Sequence, residues 1–169
     1  MYGGYSLGSS ALGGLSWPLS SFVEVSGTTA TIIKAYVKAY LQATDGVGQV
    51  EDYPNQDFNT WPGVEVSYDG NSSNYLSTTE NDILYAYSLF VYQIVEGSID
   101  RRRARLILEE LSDTISDRFD SNEFLDGISL PSGKTMIGVR PTTVEIAEDE
   151  EGKFVVAKIE IATRVTKAN

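Results

Sequence analysis

Apolar side chains recur along this chain with two periods, and the switches between them mark the elements. From about Thr29 to Thr44, Ile32, Ile33, Tyr36, Val37, Tyr40 and Leu41 form a stripe of helical spacing. Thr28 or Thr29 can cap its start and Gly46 ends it. A second helix is expected from Asp100 to Phe119, where Ala104, Ile107, Leu108, Leu111, Ile115 and Phe119 share one face and Glu110, Asp113 and Asp117 lie off it. Elsewhere the period drops to two. Val64-Glu65-Val66-Ser67-Tyr68 alternates as a strand that closes at Asp69-Gly70. Val155, Ala157, Ile159, Ile161 and Val165 alternate with Lys158, Glu160 and Arg164, which predicts one packed face and one wet face.

The remaining segments fill in around these. Ile83–Val95 is apolar on both alternate sets and reads as a strand buried on both faces, with a buried helix as the other reading. Gly46 to Pro54 reads as a tight turn into a short strand, and the polar residues 69–81 as a long mobile loop. Thr142–Glu148 and Lys153–Thr166 flank Asp149-Glu150-Glu151-Gly152 as a hairpin. The order of elements predicts an α+β fold, a largely antiparallel sheet with two helices packed on one face.

Residues 1–21 depart from this patterning. Glycines and serines dominate, with Tyr2, Tyr5, Leu12, Leu15 and Trp17 scattered among them. Such a segment cannot offset its own ordering entropy and is expected to be a flexible arm, or one that orders against a partner through those five anchors. Residues 22–169 are expected to form a single α+β domain.

Composition narrows the chemistry. Hydrophobic residues at 41% and charged residues at 22% are globular values. With 13 basic and 24 acidic side chains the net charge is −11, which argues against wrapping nucleic acid. The chain has neither Cys nor His, so thiolate sites, Cys nucleophiles and His-dependent triads are excluded, and any metal would need oxygen ligands. The first charged residue is Glu24 and the longest apolar run is too short to span a bilayer, so the expected setting is soluble and intracellular, with no membrane partner.

Apparent motifs fail on inspection. Gly133-Lys134-Thr135 ends like a phosphate-binding loop, but Ile128 stands where its first glycine is required and a strand-like stretch follows. Asp120-Ser121-Asn122-Glu123 opens like a calcium loop, but Leu125 and Pro131 occupy its glycine and glutamate positions. Ser132 and Lys134 could be imagined as a Ser–Lys pair, but activating the lysine needs burial that a Pro/Gly-flanked loop does not promise. Glu148, Asp149, Glu150 and Glu151 sit at a hairpin tip, a solvated edge rather than a catalytic pair. No catalytic residue and no cofactor is expected.

Arg101, Arg102, Arg103 and Arg105 are the one basic cluster, placed where cations oppose the helix dipole. Local ion pairs, such as Arg105–Glu109, are one reading. The other is that these arginines and the acidic tip of residues 148–151 meet their complements on another subunit.

The helix around Thr31-Ile32-Ile33-Lys34-Ala35-Tyr36-Val37, running into Gly46-Val47-Gly48-Gln49-Val50-Glu51-Asp52-Tyr53, resembles the opening of tail terminator proteins of long-tailed bacteriophages. Arg101–Phe119 with Asn122, Leu125, Asp126 and Gly127 is similar to the second helix of that family and its following turn. Ile159-Glu160-Ile161-Ala162-Thr163-Arg164-Val165 is similar to its last strand. The Gly/Ser arm and the 69–81 segment depart from the family pattern. The resemblance covers residues 28–166 as an order of elements. It implies a virion ring, usually a hexamer, assembled in the host cytoplasm, that caps the tail tube and joins it to the head-side connector or stopper. DNA would pass through its bore without specific binding, past an acidic lumen that repels phosphates. A head–tail adaptor or stopper of the neck is the neighbouring alternative. A non-viral binding module or an oxygen-ligand metal enzyme is the alternative from a different class.

Overall fold

The computed structural model describes residues 27–52, 57–75, 80–121 and 128–168. The 1–21 arm lies outside them. Two helices and five strands follow in the order α1 (Thr29–Gln42), β1 (Gln49–Glu51), β2 (Gly63–Tyr75), β3 (Glu80–Ile94), α2 (Arg101–Asp120), β4 (Lys134–Glu148) and β5 (Phe154–Ala168). This is the expected α+β class.

Both helices start at the polar residues that can cap them. Thr28 is extended and its side chain accepts from the Thr31 N–H; Asp100 does the same for Arg103. The stripe of α1 buries Ile32, Ile33, Tyr36, Val37, Tyr40 and Leu41, and that of α2 buries Ala104, Leu108, Leu111, Ile115 and Phe119. The helices meet where the Tyr40 and Phe119 rings stand 5.2 Å apart and the Tyr40 hydroxyl donates to the Arg118 carbonyl at 2.8 Å.

The strands form one sheet in the order β1-β2-β3-β5-β4, antiparallel except for the parallel β1–β2 pair. Register lines the alternate residues into rows. Val64, Val91, Ala157 and Ile146 face each other across four strands, as do Val66, Leu89, Ile159 and Val144. These rows point toward the helices and, apart from Val144, which is 46% exposed on the edge strand, form a single core with both helical stripes. Each fully buried Leu, Ile or Val there contributes roughly 1.5–3 kcal/mol. Tyr87 joins the layers: its ring is buried and its hydroxyl donates to the Ala30 carbonyl at 2.9 Å.

Three expectations change. Residues 69–81 are not a long loop: β2 continues through Tyr75 and β3 begins at Glu80. A bulge between Tyr68 and Gly70 restarts the alternation, and pairs such as Asn71–Tyr85 and Ser73–Ile83 carry the ladder onward through polar residues. The strand over 83–95 is buried on both faces only toward its end, since Leu84 and Ala86 are exposed while Ser88 and Tyr92 are covered. The hairpin before residue 149 is longer than its pattern suggested. β4 begins at Lys134, and bulges between Met136 and Gly138 and between Pro141 and Thr143 disguise it. Pro141 and those bulges blunt an edge strand that would otherwise offer a long row of free backbone groups.

Candidate functional site

The charged residues singled out by the sequence converge at one end of the molecule. Helix α2 starts where β3 has ended, and the β4–β5 turn comes to the same place because Val95 donates its N–H to the Lys153 carbonyl at 2.8 Å. Arg101 reaches Glu148 at 3.4 Å, with both side chains about half exposed. Its guanidinium also lies against Gly152, where a Cβ would collide with it and where φ is +68°. The positive φ is what favours glycine at that turn, since the exposed Arg101 guanidinium is the end of a flexible side chain and can move aside. Asp149 is occupied within the turn, its carboxylate accepting from the Phe154 N–H at 2.8 Å and its carbonyl from the Gly152 N–H at 3.0 Å. Glu151 pairs with Lys153, and Arg105 pairs with Glu109 at 3.0 Å.

Three of the eight charged positions are left over. Arg102, Arg103 and Glu150 are exposed and form no ion pair among the described residues. The two adjacent guanidinium groups stand at a helix end whose dipole disfavours them, and the nearby Asp100 carboxylate is engaged in capping the Arg103 N–H. Farther along α2 the exposed side chains reverse sign, with Glu109, Glu110, Asp113, Asp117 and Asp120 facing solvent. The helix thus presents a basic start and an acidic flank.

A second feature lies on the face of the sheet away from the helices. Phe58, Trp61, Tyr92 and Phe154 stack into a cluster, with Phe58–Trp61 at 5.4 Å, Phe58–Tyr92 at 5.7 Å and Trp61–Phe154 at 5.5 Å. Phe58 can lie on the sheet only because residue 63 is glycine, since a Cβ there would run into its ring. Glu65 is 5% exposed and accepts a hydrogen bond from the Tyr92 hydroxyl at 3.3 Å. Burial raises its carboxyl above the ordinary range, against the smaller lowering effects of that hydrogen bond and of the Lys34 charge. Burial, with the Glu65 charge and hydrogen bond behind it, pushes the Tyr92 phenol up to about 12.

No protein-family model and no curated protein matches the chain. Among solved structures, it resembles a chain of "Virion of native gene transfer agent (GTA) particle" at a TM-score of 0.56 and 15% identity. The match covers 83% of this chain and 99% of that one. The likeness is one of fold.

The apparent motifs have structural roles here. Gly133 follows Ser132 in a turn in which both residues have positive φ, and Lys134 opens β4. The Lys134 ammonium donates to the Thr29 hydroxyl at 2.7 Å and the Tyr85 hydroxyl at 3.2 Å, which ties the sheet to the start of α1. The calcium-like stretch falls largely in residues 122–127, outside the described residues. Among the described residues no group of three acidic side chains is placed to hold a metal ion. Tyr2, Tyr5, Leu12, Leu15 and Trp17 also lie outside them. The aromatic cluster escaped the sequence reading because its members come from a loop and two strands. Trp61-Pro62-Gly63 before an alternating run was the one available signal.

Proposed function

We propose that this chain is a virion structural protein, the ring-forming tail terminator of a phage-type particle. It would cap the tail tube and join it to the head-side connector or stopper, as a homo-oligomer that is usually six copies in this family. The supporting observation is the fold likeness to a virion chain, which extends over nearly the whole of that chain. The order of elements along the sequence also resembles tail terminators.

The geometry is suited to the role. A ring of identical subunits uses a heterologous contact, in which one patch on each copy meets a different patch on the next. Here Arg102 and Arg103 form one candidate patch, with Arg101 and Arg105 beside them. The acidic flank of α2 and the tip carrying Glu148, Asp149, Glu150 and Glu151 supply candidate complements. In this role the protein acts by shape and charge and binds no cofactor. A net charge of −11 would let DNA slide through a bore without being held.

Electron microscopy of particles assembled without this chain tests the reading. Overlong tail tubes are the expected result. Normal tails beside leaking heads would instead assign it to the head–tail stopper, and unchanged particles would overturn both.

A further inference from the structure

On the face away from the helices the aromatic cluster covers one end of the sheet, and the other end carries an open groove of about 440 Å³. Its apolar surface comes from Leu84, Ile137 and Ala162. Leu84 is 37% exposed and Ile137 46% exposed, large values for side chains of that size standing together. Ile137 is the extra residue of the Met136/Gly138 bulge, which turns it outward. The groove's polar positions are Thr142, Arg140 and Arg164. Arg164 is already held by both carboxylate oxygens of Asp82 at 3.0 Å. An apolar floor with a partly neutralised rim suits an uncharged occupant.

The sequence preceding Gly27 has that chemistry. Its first 23 residues contain no charged side chain, and its anchors are spaced among glycines and serines that let a backbone lie close to a sheet. Its length lets it serve another copy. Twenty-six residues extend to roughly 85 Å, whereas a domain of this size has a radius of gyration of roughly 15 Å. A contour of that length is enough to span from one copy to the next. It also joins α1 on the helix side, where Lys134 holds Thr29, while the groove opens on the opposite side.

We infer that the groove of each copy receives the N-terminal arm of a neighbouring copy, with Leu15 and Trp17 against Leu84 and Ile137. This rests on the ring reading and adds its strap: each subunit is fastened by the uncharged segment of the next. An arm of this kind adds its affinity to the charged contact through effective concentration, once the first contact has formed.

The chain contains no cysteine, so introduced thiols report cleanly. Ser16→Cys and Thr142→Cys, made in separate chains, are co-expressed and treated with a short thiol-reactive cross-linker, and the mass of the assembly is read by light scattering. A covalent two-chain product, lowered roughly tenfold or more by adding Ile137→Glu to the Thr142→Cys chain, is the expected result. The double variant in one chain should give a ladder of multimers. A cross-linked single chain from that double variant, with nothing from the mixed pair, overturns the exchange between copies. Oligomers of ring mass with no cross-link overturn the arm contact and leave the ring reading standing, whereas a monomer at every concentration overturns both. Circular dichroism of the Ile137→Glu chain confirms that its loss is not unfolding.

Discussion

At the scale of single residues, Glu65 is the one carboxylate among the described residues that the fold buries without an ion pair. Its register opposite Phe90 puts it on the outer face, beneath the cluster that Gly63 admits, and Tyr92 supplies a hydrogen bond in place of solvent. Because burial raises its folded pKa, the native chain holds this proton more tightly than the unfolded chain does. Stability from this group is therefore full below the ordinary carboxylate value and is lost as pH rises through the raised one. Glu65→Gln keeps an acceptor for Tyr92 and removes the ionisation. Its melting temperature should match that of the parent near pH 3 and exceed it by a growing margin toward pH 7. The difference between the two melting curves is what matters, since it cancels every other titrating group. A parent that gains on the variant as pH rises would mean that the Lys34 charge outweighs burial.

At the scale of elements, α2 shows a local conflict resolved by one side chain. Arg101, Arg102 and Arg103 occupy its first turn, where each cation costs about 0.3–1 kcal/mol against the dipole at low salt. Asp100 offsets this, capping the Arg103 N–H at 2.8 Å and adding a negative charge at the same end. Asp100→Ala should therefore destabilise the chain by about 1–2 kcal/mol in urea unfolding, toward the upper end for a lost cap. A change below about 0.5 kcal/mol would show that the helix start is held by packing alone. The helices were legible because a stripe of helical spacing survives in the sequence whatever packs on it. β5 was legible because its alternation runs unbroken from Val155 to Ile161. The far half of β2 and the first half of β4 were not, since their pairing comes from partner strands. Asn71, Ser72 and Ser73 extend only because β3 presents a free edge to them, and the bulges at Ile137 and Thr142 reset the period twice within β4. The charged site was half legible. Its residue types stand out in the sequence, but the Arg101–Glu148 pair and the freedom of Arg102 and Arg103 depend on where the β4–β5 turn lands.

At the scale of the whole molecule, the question is whether the unpaired arginines serve the subunit or the assembly, and the helix dipole makes the two answers differ in sign. If Arg102 and Arg103 stabilised the folded monomer, replacing them with glutamate would lower its melting temperature. The dipole predicts the opposite, because each change exchanges an unfavourable charge at a helix start for a favourable one. The monomer of Arg102→Glu/Arg103→Glu should be as stable as the parent or more so, by about 0.5–2 kcal/mol at low salt. A ring contact built on these arginines would fail in the same variant, since like charges would face each other at every interface in a chain that is already acidic. The expected outcome is a more stable monomer that no longer assembles, read by thermal unfolding and light scattering on one preparation. Raising salt should weaken assembly of the parent while leaving its monomer stability little changed, because exposed pairs are screened over roughly 10 Å at 0.1 M. Intact rings in the variant would remove these arginines from the interface. A destabilised monomer would show that they hold the subunit together through contacts other than ion pairs.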